Sequence, residues 1–244
     1  MTTARVIDTH RLSVVAQEYE RDLLRFFRDL SADGMGIERV RQEAEKVHFE
    51  EIRCASERLL ARIGSGKYSI LMDAHADAGG IAAMVYAGKL IDELGMYDEF
   101  TLWVSASIQY EFQGPAWLHA LREAGIRPDC VVMAEPTNWS IKMREAPLEG
   151  FLNESHPLVQ AAIATYESLF ELPPNVSQSP SPVGPFGVPV IAFGPGEPQP
   201  QVPTRHLLKA AEFYAAFPTM FVEKMSAARA AAVSSVSESA PHGR

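Results

Sequence analysis

Four side chains that could hold a divalent metal ion come shortly after apolar runs in the middle of the sequence. His75 and Asp77 lie in "MDAHADAGG", while Glu111 and Glu135 follow the runs "FTLWVSAS" and "CVVMA". Imidazole and carboxylate groups bind such ions when separate elements bring them to one point. Each residue taken alone is more often a helix cap, a solvated carboxylate or a packed imidazole. Only their shared position after predicted strands indicates a site.

The elements that would position these residues alternate between strand and helix. Apolar runs predict strands over 68–73, 100–107, 130–134, 139–143 and 188–193. Helical spacing predicts helices over 12–30, 37–63, 79–94, 115–124, 156–170 and 204–217, with an extension of the last to 232. This alternation is typical of an α/β fold in three layers, a mostly parallel sheet with helices on both faces. Sites in such sheets lie at the carboxyl ends of the strands, where the four candidates fall.

Two stretches interrupt the alternation. Residues 175–187 and 194–203 are rich in Pro, Ser and Gly and are predicted to be loops, and the polar end of the chain from 234 to 244 is predicted to be disordered. We therefore divide the chain into an N-terminal helical segment that packs on the core (1–64), an α/β core (65–224), and a helix end with a disordered tail (225–244).

Composition excludes several kinds of function. With 22 Lys and Arg against 31 Asp and Glu, the net charge is -9, which argues against a nucleic-acid or anionic-membrane partner. We find no run of about 18 apolar residues that could span a membrane and no apolar stretch typical of a signal peptide. Two cysteines in 244 residues do not make a disulfide framework. We expect a cytoplasmic protein that acts on a small molecule.

Several segments follow one another in the order of a known family. They are "SILMDAH", "GGIAAMVYAGKLIDELG", "TLWVSASIQYE" and "GIRPDCVVMAEPTN", followed by "HPLVQAAIATYESLF", "GVPVIAFGPG" and "VPTRHLLKAAEFYAAF". Together they resemble the catalytic domain of the zinc-dependent amidohydrolases and peptidases that include acetylornithine deacetylase, succinyl-diaminopimelate desuccinylase and carboxypeptidase G. The similarity runs from about residue 68 to about residue 224. It implies a zinc-peptidase-like α/β fold and hydrolysis of a small amide or N-acyl amino acid.

The resemblance implies a role for each candidate. His75 stands where the family has its first histidine ligand, and Glu135 where it has the acidic ligand before Pro-Thr. Glu111 matches the second Glu of a pair, a ligand of the other metal ion. Asp77 matches either the aspartate that orients the histidine or the aspartate that bridges the two metal ions. The family separates these two aspartates by a long loop, and "HADAGG" resembles a splice across that loop.

The departures from the family are equally specific. Tyr110 stands where the family has its general base, and a tyrosine with a pKa of about 10 is a poor base at neutral pH. The loop "GEPQPQVP" lacks the final histidine ligand, and His206 after it matches a helix residue of the family. The lid domain, which often forms the dimer in relatives, is absent from the short passage 143–156.

Two hypotheses follow from the resemblance and its departures. One is a metal-dependent hydrolase with at most one zinc or other divalent ion per chain, held by His75, Asp77 and Glu135 with Glu111 nearby. The other is a repurposed or inactive descendant that binds a small molecule or partner, or does different chemistry in the same pocket. A homodimer, if one forms, must use a surface other than the lid.

Overall fold

A computed structural model describes residues 7–32, 36–55, 58–75, 77–107, 121–135, 137–146, 150–179, 188–195 and 203–238. Its strands are β1 (Glu51–Ala55), β2 (Arg58–Ile63), β3 (Tyr68–His75), β4 (Phe100–Ser107), β5 (Cys130–Ala134), β6 (Ile141–Met143), β7 (Glu145–Ala146), β8 (Gly150–Phe151), β9 (Val176–Gln178) and β10 (Val190–Phe193). Its helices are α1 (Thr9–Glu18), α2 (Glu20–Ala32), α3 (Ile37–Lys46), α4 (Ala78–Leu94), α5 (Pro157–Phe170) and α6 (Thr204–Glu238). None of the helices in these ranges is long and apolar enough to cross a membrane.

One sheet organises the described residues. Its eight strands lie in the order β1-β2-β4-β3-β5-β10-β6-β9, and β7 pairs with β8 separately. The four central strands β4, β3, β5 and β10 are parallel, while β1, β2 and β6 introduce antiparallel pairs. The central strands are continuous apolar runs because a parallel strand is buried on both faces. The predicted α/β fold with a mostly parallel sheet is confirmed.

The first face of the sheet, which carries Ile70 and Met72 of β3, packs against the helices. Both side chains are fully buried in a cluster that includes α4 and α6. Three phenylalanines one turn apart in α6 extend this cluster, with ring centroids 6.1 Å apart for Phe213 and Phe217 and 6.0 Å apart for Phe217 and Phe221. The hydrophobic core therefore lies mainly between this face and the helices.

The second face of the sheet carries a smaller apolar cluster, which includes Leu71, Trp103 and Val131. Leu121, which is in helical conformation, and Ile126 cover part of it. Because strand side chains alternate between faces, the later residues of β3 on this side are Asp73 and His75. The second face therefore changes from apolar to charged toward the carboxyl ends of the strands.

The N-terminal quarter of the chain differs from its prediction. The helix predicted over 12–30 is two helices that meet at Tyr19. The helix predicted over 37–63 ends at Lys46, and the rest forms the hairpin of β1 and β2, so the helical prediction for 51–63 was wrong. In β2, Leu59 and Ala61 face the main core, while Leu60 between them belongs to the second-face cluster. A short strand that is apolar on both faces has a pattern that also fits a helix.

Other boundaries were also corrected. Residues 176–178, predicted to be loop, form β9, which pairs in parallel with β6 at the edge of the sheet. Their side chains are only partly buried or exposed, so no apolar pattern indicates the strand. Helix α6 includes residues 234–238, which were predicted to be disordered, and residues 239–244 lie outside the described ranges. In contrast, α4 ends as predicted at a left-handed Gly95 with φ 60°.

Candidate functional site

His75, at the carboxyl end of β3, has both ring nitrogens engaged. Its Nε2 is hydrogen-bonded to Asp73 Oδ2, and its Nδ1 lies 3.4 Å from Nη2 of Arg58. A carboxylate only accepts, so Nε2 carries the proton and the Nδ1 lone pair faces the guanidinium. Asp73 is fully buried, and its Oδ1 lies 3.5 Å from Arg58 Nη1. The three side chains form one polar cluster on the second face.

The charges of this cluster stabilise one another. Burial alone would raise the pKa of Asp73, but the hydrogen bond from His75 and the charge of Arg58 hold that pKa below its usual value. Burial lowers the pKa of Arg58, and Asp73 opposes this shift. The ordinary pKa of a guanidinium lies so far above neutral pH that Arg58 stays charged. Arg58 Nη1 also donates to Ser105 Oγ at 3.3 Å. The cluster is therefore a buried Asp73–Arg58 ion pair that is hydrogen-bonded to the imidazole of His75.

Glu135, directly after β5, is bonded to a second arginine. Its Oε2 accepts from Nη2 of Arg144, which follows β6 and is only 5% exposed. Nη1 of Arg144 donates to Ser179 Oγ at 2.9 Å, and the backbone N–H of Ser179 donates to Met143 O at 2.9 Å. The ion pair therefore ties the end of β5 to the β6–β9 edge of the sheet.

Asp77 is the N-cap of α4. Its Oδ1 accepts from the Gly79 N–H at 3.0 Å. Burial raises the pKa of Asp77, and the N–H groups of Gly79 and Gly80 oppose that shift. The helix begins very close to β5, since a Cβ at Gly80 would lie 2.7 Å from the Ala134 Cβ. Only glycine permits this approach.

A buried phenol lies within electrostatic reach of two of the candidate carboxylates. Tyr214 of α6 donates its O–H to Phe193 O at 2.6 Å. Burial raises the pKa of Tyr214, and the negative charges of Asp77 and Glu135 raise it further. Both carboxylates therefore lie near enough to Tyr214 to act on its phenol, and each follows the carboxyl end of a central strand, β3 or β5.

The turn after Glu135 is conformationally unusual. Asn138 and Trp139 both have left-handed backbones, with φ of 51° and 61°. Gly194 bonds this turn, since its carbonyl accepts from the Trp139 N–H at 2.9 Å and its own N–H donates to Thr137 Oγ1 at 3.1 Å. Such backbone strain is found at sites where the surrounding structure fixes it.

These residues, as placed, do not fit a divalent metal ion. A ligating histidine needs a lone pair directed at the metal, but His75 directs its own at Arg58. Glu135 is bonded to Arg144, and Asp77 caps a helix. In the described part of the chain, no three His, Cys, Asp or Glu side chains are grouped so that they could hold a metal ion. Tyr110 and Glu111 lie outside the described residues.

Sequence reasoning missed the residues that bond these candidates. Asp73 had an available signal, because it lies two residues before His75 and so faces the same side of the strand. Arg58 was assigned to a helix, which hid its position beside β4. Arg144 is nine residues from Glu135 in sequence, and only the pairing of β6 with β10 brings it close.

Comparison with known sequences finds no matching family model. The uncharacterized protein YgeY of Escherichia coli K12 is 32% identical over 167 residues, which are 52% of this chain and 41% of that protein. The match thus spans less than half the length of this relative.

Solved structures match over more of the chain. The dipeptidase Dug1p of Saccharomyces cerevisiae aligns with a TM-score of 0.72 at 7% identity, over 88% of this chain and 99% of that one. YxeP of Bacillus subtilis, a dinuclear metal-binding peptidase from the M20 family, gives 0.62 at 10% identity, over 85% and 99%. A glutaminyl cyclase from Macrostomum lignano gives 0.60 at 11% identity, over 93% and 96%. The chain therefore has the α/β fold of metallopeptidase catalytic domains, with arginines bonded to two of the residues expected to be ligands.

Proposed function

We propose that this chain keeps the metallopeptidase fold but has lost metal-dependent hydrolysis, and that it binds a small molecule at the carboxyl edge of the sheet. The observation that carries the proposal is the pairing of His75 with Arg58 and of Glu135 with Arg144. Each guanidinium is a fixed positive charge at a place where the resemblance implies a metal ion.

Repulsion between a metal ion and the two guanidinium groups supports the loss of metal binding. A divalent ion about 4 Å from a guanidinium is opposed by several kcal/mol even at an effective dielectric constant of about 20. Zinc could bind His75 or Glu135 only if the arginines moved away. Arg144 is buried and also donates to Ser179, so its displacement would leave a buried charge without its hydrogen bonds.

The same arginines favour a ligand of a particular class. Guanidinium groups bind carboxylates through paired, charge-assisted hydrogen bonds. Small carboxylic acids, including the N-acyl amino acids that the family resemblance suggests, can therefore exchange with the carboxylate of Glu135 on Arg144. The glutaminyl cyclase match is consistent with this change of role, because it shows that one fold can carry chemistry other than peptide hydrolysis.

Metal content and binding test the proposal together. Protein purified without affinity-tag metal is dialysed against chelator, given one equivalent of zinc, dialysed again and measured by elemental analysis. We expect no retained zinc beyond that of a His75→Ala control, and calorimetric binding of N-acetyl amino acids without their hydrolysis. One equivalent of zinc that His75→Ala removes, together with turnover, would overturn the proposal.

A hydrolase with one divalent ion is the second candidate. It is favoured by Asp77 and Glu135, whose charges both act on the Tyr214 phenol. Under this proposal His75, Asp77 and Glu135 would hold the ion, and Glu111 would transfer protons. The Tyr110→Glu variant separates the candidates, because restoring a carboxylate base would raise turnover of N-acetyl amino acids only if a metal site exists.

A further inference from the structure

The strand β1 forms one edge of the central sheet. It pairs with β2 on one side, and in the described residues no strand pairs with its other side. An edge strand presents backbone N–H and C=O groups that another strand can pair with. The side chains of Glu51 and Arg53 on this edge are 31% and 48% exposed. Among the described residues, this edge is therefore open to a partner strand.

The sequence of β1 is complementary to itself in antiparallel orientation. If two copies pair about a twofold axis at Ile52, Glu51 of each copy lies opposite Arg53 of the other. Directly opposite residues share a face with Cβ atoms about 5 Å apart, where opposite charges attract. The two Ile52 side chains would meet at the axis, on the face where Ile52 already packs against the core.

Charge also selects this register. Moving the axis to Arg53 places the two arginines opposite each other, and moving it to Glu51 does the same for the two glutamates. Like charges directly opposite are destabilising. A shift by one residue would instead exchange the two faces of the strand. Of these registers, only the one centred on Ile52 places opposite charges across from each other and keeps the apolar side chains of both copies on the same face.

The strand is also braced to keep its charged side chains in place. Arg53 and Arg62 both lie over the ring of Trp103, each with its guanidinium carbon 5.9 Å from the ring centroid. Glu51 bonds both arginines, at 2.5 Å and 3.2 Å. In a dimer, Glu51 and Arg53 of the two copies would form a ring of four alternating charges around the axis. The Glu51–Arg53 pair within each copy could therefore stay in place while the pairs between the copies form.

We propose that two copies of this chain associate by antiparallel pairing of their β1 strands, centred on Ile52, to continue the sheet from one copy into the next. About five residue pairs take part, from 50 to 54, so the contact lies at the small end of specific interfaces and the dimer is weak and reversible. The surface fits the expectation that any homodimer avoids the absent lid.

Charge reversal tests the pairing on the full chain. Sedimentation equilibrium should show wild-type dimers whose fraction rises with concentration. Arg53→Glu alone and Glu51→Arg alone should each be monomeric, since both place like charges opposite. The two variants mixed together should form heterodimers, and the Glu51→Arg/Arg53→Glu double variant should recover wild-type association. A wild type that stays monomeric, or a mixture that does not associate, would overturn the proposal.

Cross-linking tests the register. In an Ile52→Cys/Cys54→Ser variant the two introduced thiols face each other and should form an intermolecular disulfide under mild oxidation. The native Cys54 is exposed, but its counterpart would be about 14 Å away along the paired strands, so the wild type should not cross-link. Faster cross-linking of the wild type than of the Ile52→Cys/Cys54→Ser variant would contradict the register. Circular dichroism of every variant checks that the fold is kept.

Discussion

The two faces of the central sheet differ most at the carboxyl ends of the strands. On the first face β3 is apolar through Ala74, and β5 through Ala134, beneath the phenylalanines of α6. On the second face the apolar cluster gives way to Asp73, His75 and Ser105. The first face therefore holds most of the buried apolar side chains, while the second carries the charged groups of the candidate site.

Charged groups persist on the second face because each has a partner. An unpaired buried charge is very costly, whereas a paired and hydrogen-bonded one is tolerated. Asp73 has His75 and Arg58, and Arg144 has Glu135 and Ser179. Asp73→Asn keeps a polar group beside Arg58, so it should cost less than emptying the first-face core, and the variants below test that order.

The largest loss of stability should come from the first face. Phe213 is fully buried, and its ring centroid lies 3.8 Å from that of Phe193. Phe213→Ala removes this contact and leaves a cavity, so we expect a loss of about 3–5 kcal/mol in the free energy of unfolding. Urea denaturation followed by circular dichroism measures it. A loss smaller than that caused by Asp73→Asn would reverse the expected ranking of the two faces.

A smaller loss should come from the second face. Asp73→Asn removes the charge that faces Arg58 and should cost about 2 kcal/mol at neutral pH. The folded pKa of Asp73 is lowered, so its stabilising effect is present above pH of about 4, near the unfolded pKa, and is lost as pH falls through the folded pKa.

Urea denaturation of wild type and Asp73→Asn at several pH values checks this dependence. The difference between the two proteins should shrink on acidification. A difference that grew at low pH would show that Asp73 is not ionised in the folded protein.

Tyr214→Phe should cost still less. It removes the hydrogen bond from the phenol to Phe193 O at 2.6 Å but leaves the ring in place. A typical bond of this kind contributes about 1 kcal/mol. Thermal unfolding compares this variant with Phe213→Ala, its neighbour in the same helix. An equal loss in both would mean that hydrogen bonding, and not packing, dominates the first face.

The smallest effect should come from a pair that belongs to neither face. The side chains of Arg25 and Asp22 in α2 are 61% and 47% exposed. Nη2 of Arg25 lies 2.9 Å from Oδ1 of Asp22. Arg25→Ala should change the unfolding free energy by about 0.5 kcal/mol or less, since water and salt screen exposed pairs. Urea denaturation again measures it, and a loss near that of Asp73→Asn would remove the distinction between buried and exposed charge pairs.

The sequence determined much of the fold. The strands β4 and β5 were predicted with the bounds that the structure has, and α4 to within one residue. The two strands are continuous apolar runs. The helix has apolar residues at helical spacing, with Asp77 as its N-cap and Gly95 as its C-cap. Local patterns of this kind carry their own signal because neighbouring residues produce it. The carboxyl-edge positions of His75 and Glu135 followed from the same strand ends.

Only the tertiary structure decided what these side chains touch. Arg58 comes from β2, which was predicted to be helical, and Arg144 reaches Glu135 only because β6 pairs antiparallel to β10. The order of strands in a sheet depends on long-range pairing, which leaves no periodic pattern in a single sequence. The sequence therefore named the carboxylates and the histidine at the edge of the sheet, while the folded chain determined that arginines bond two of these residues.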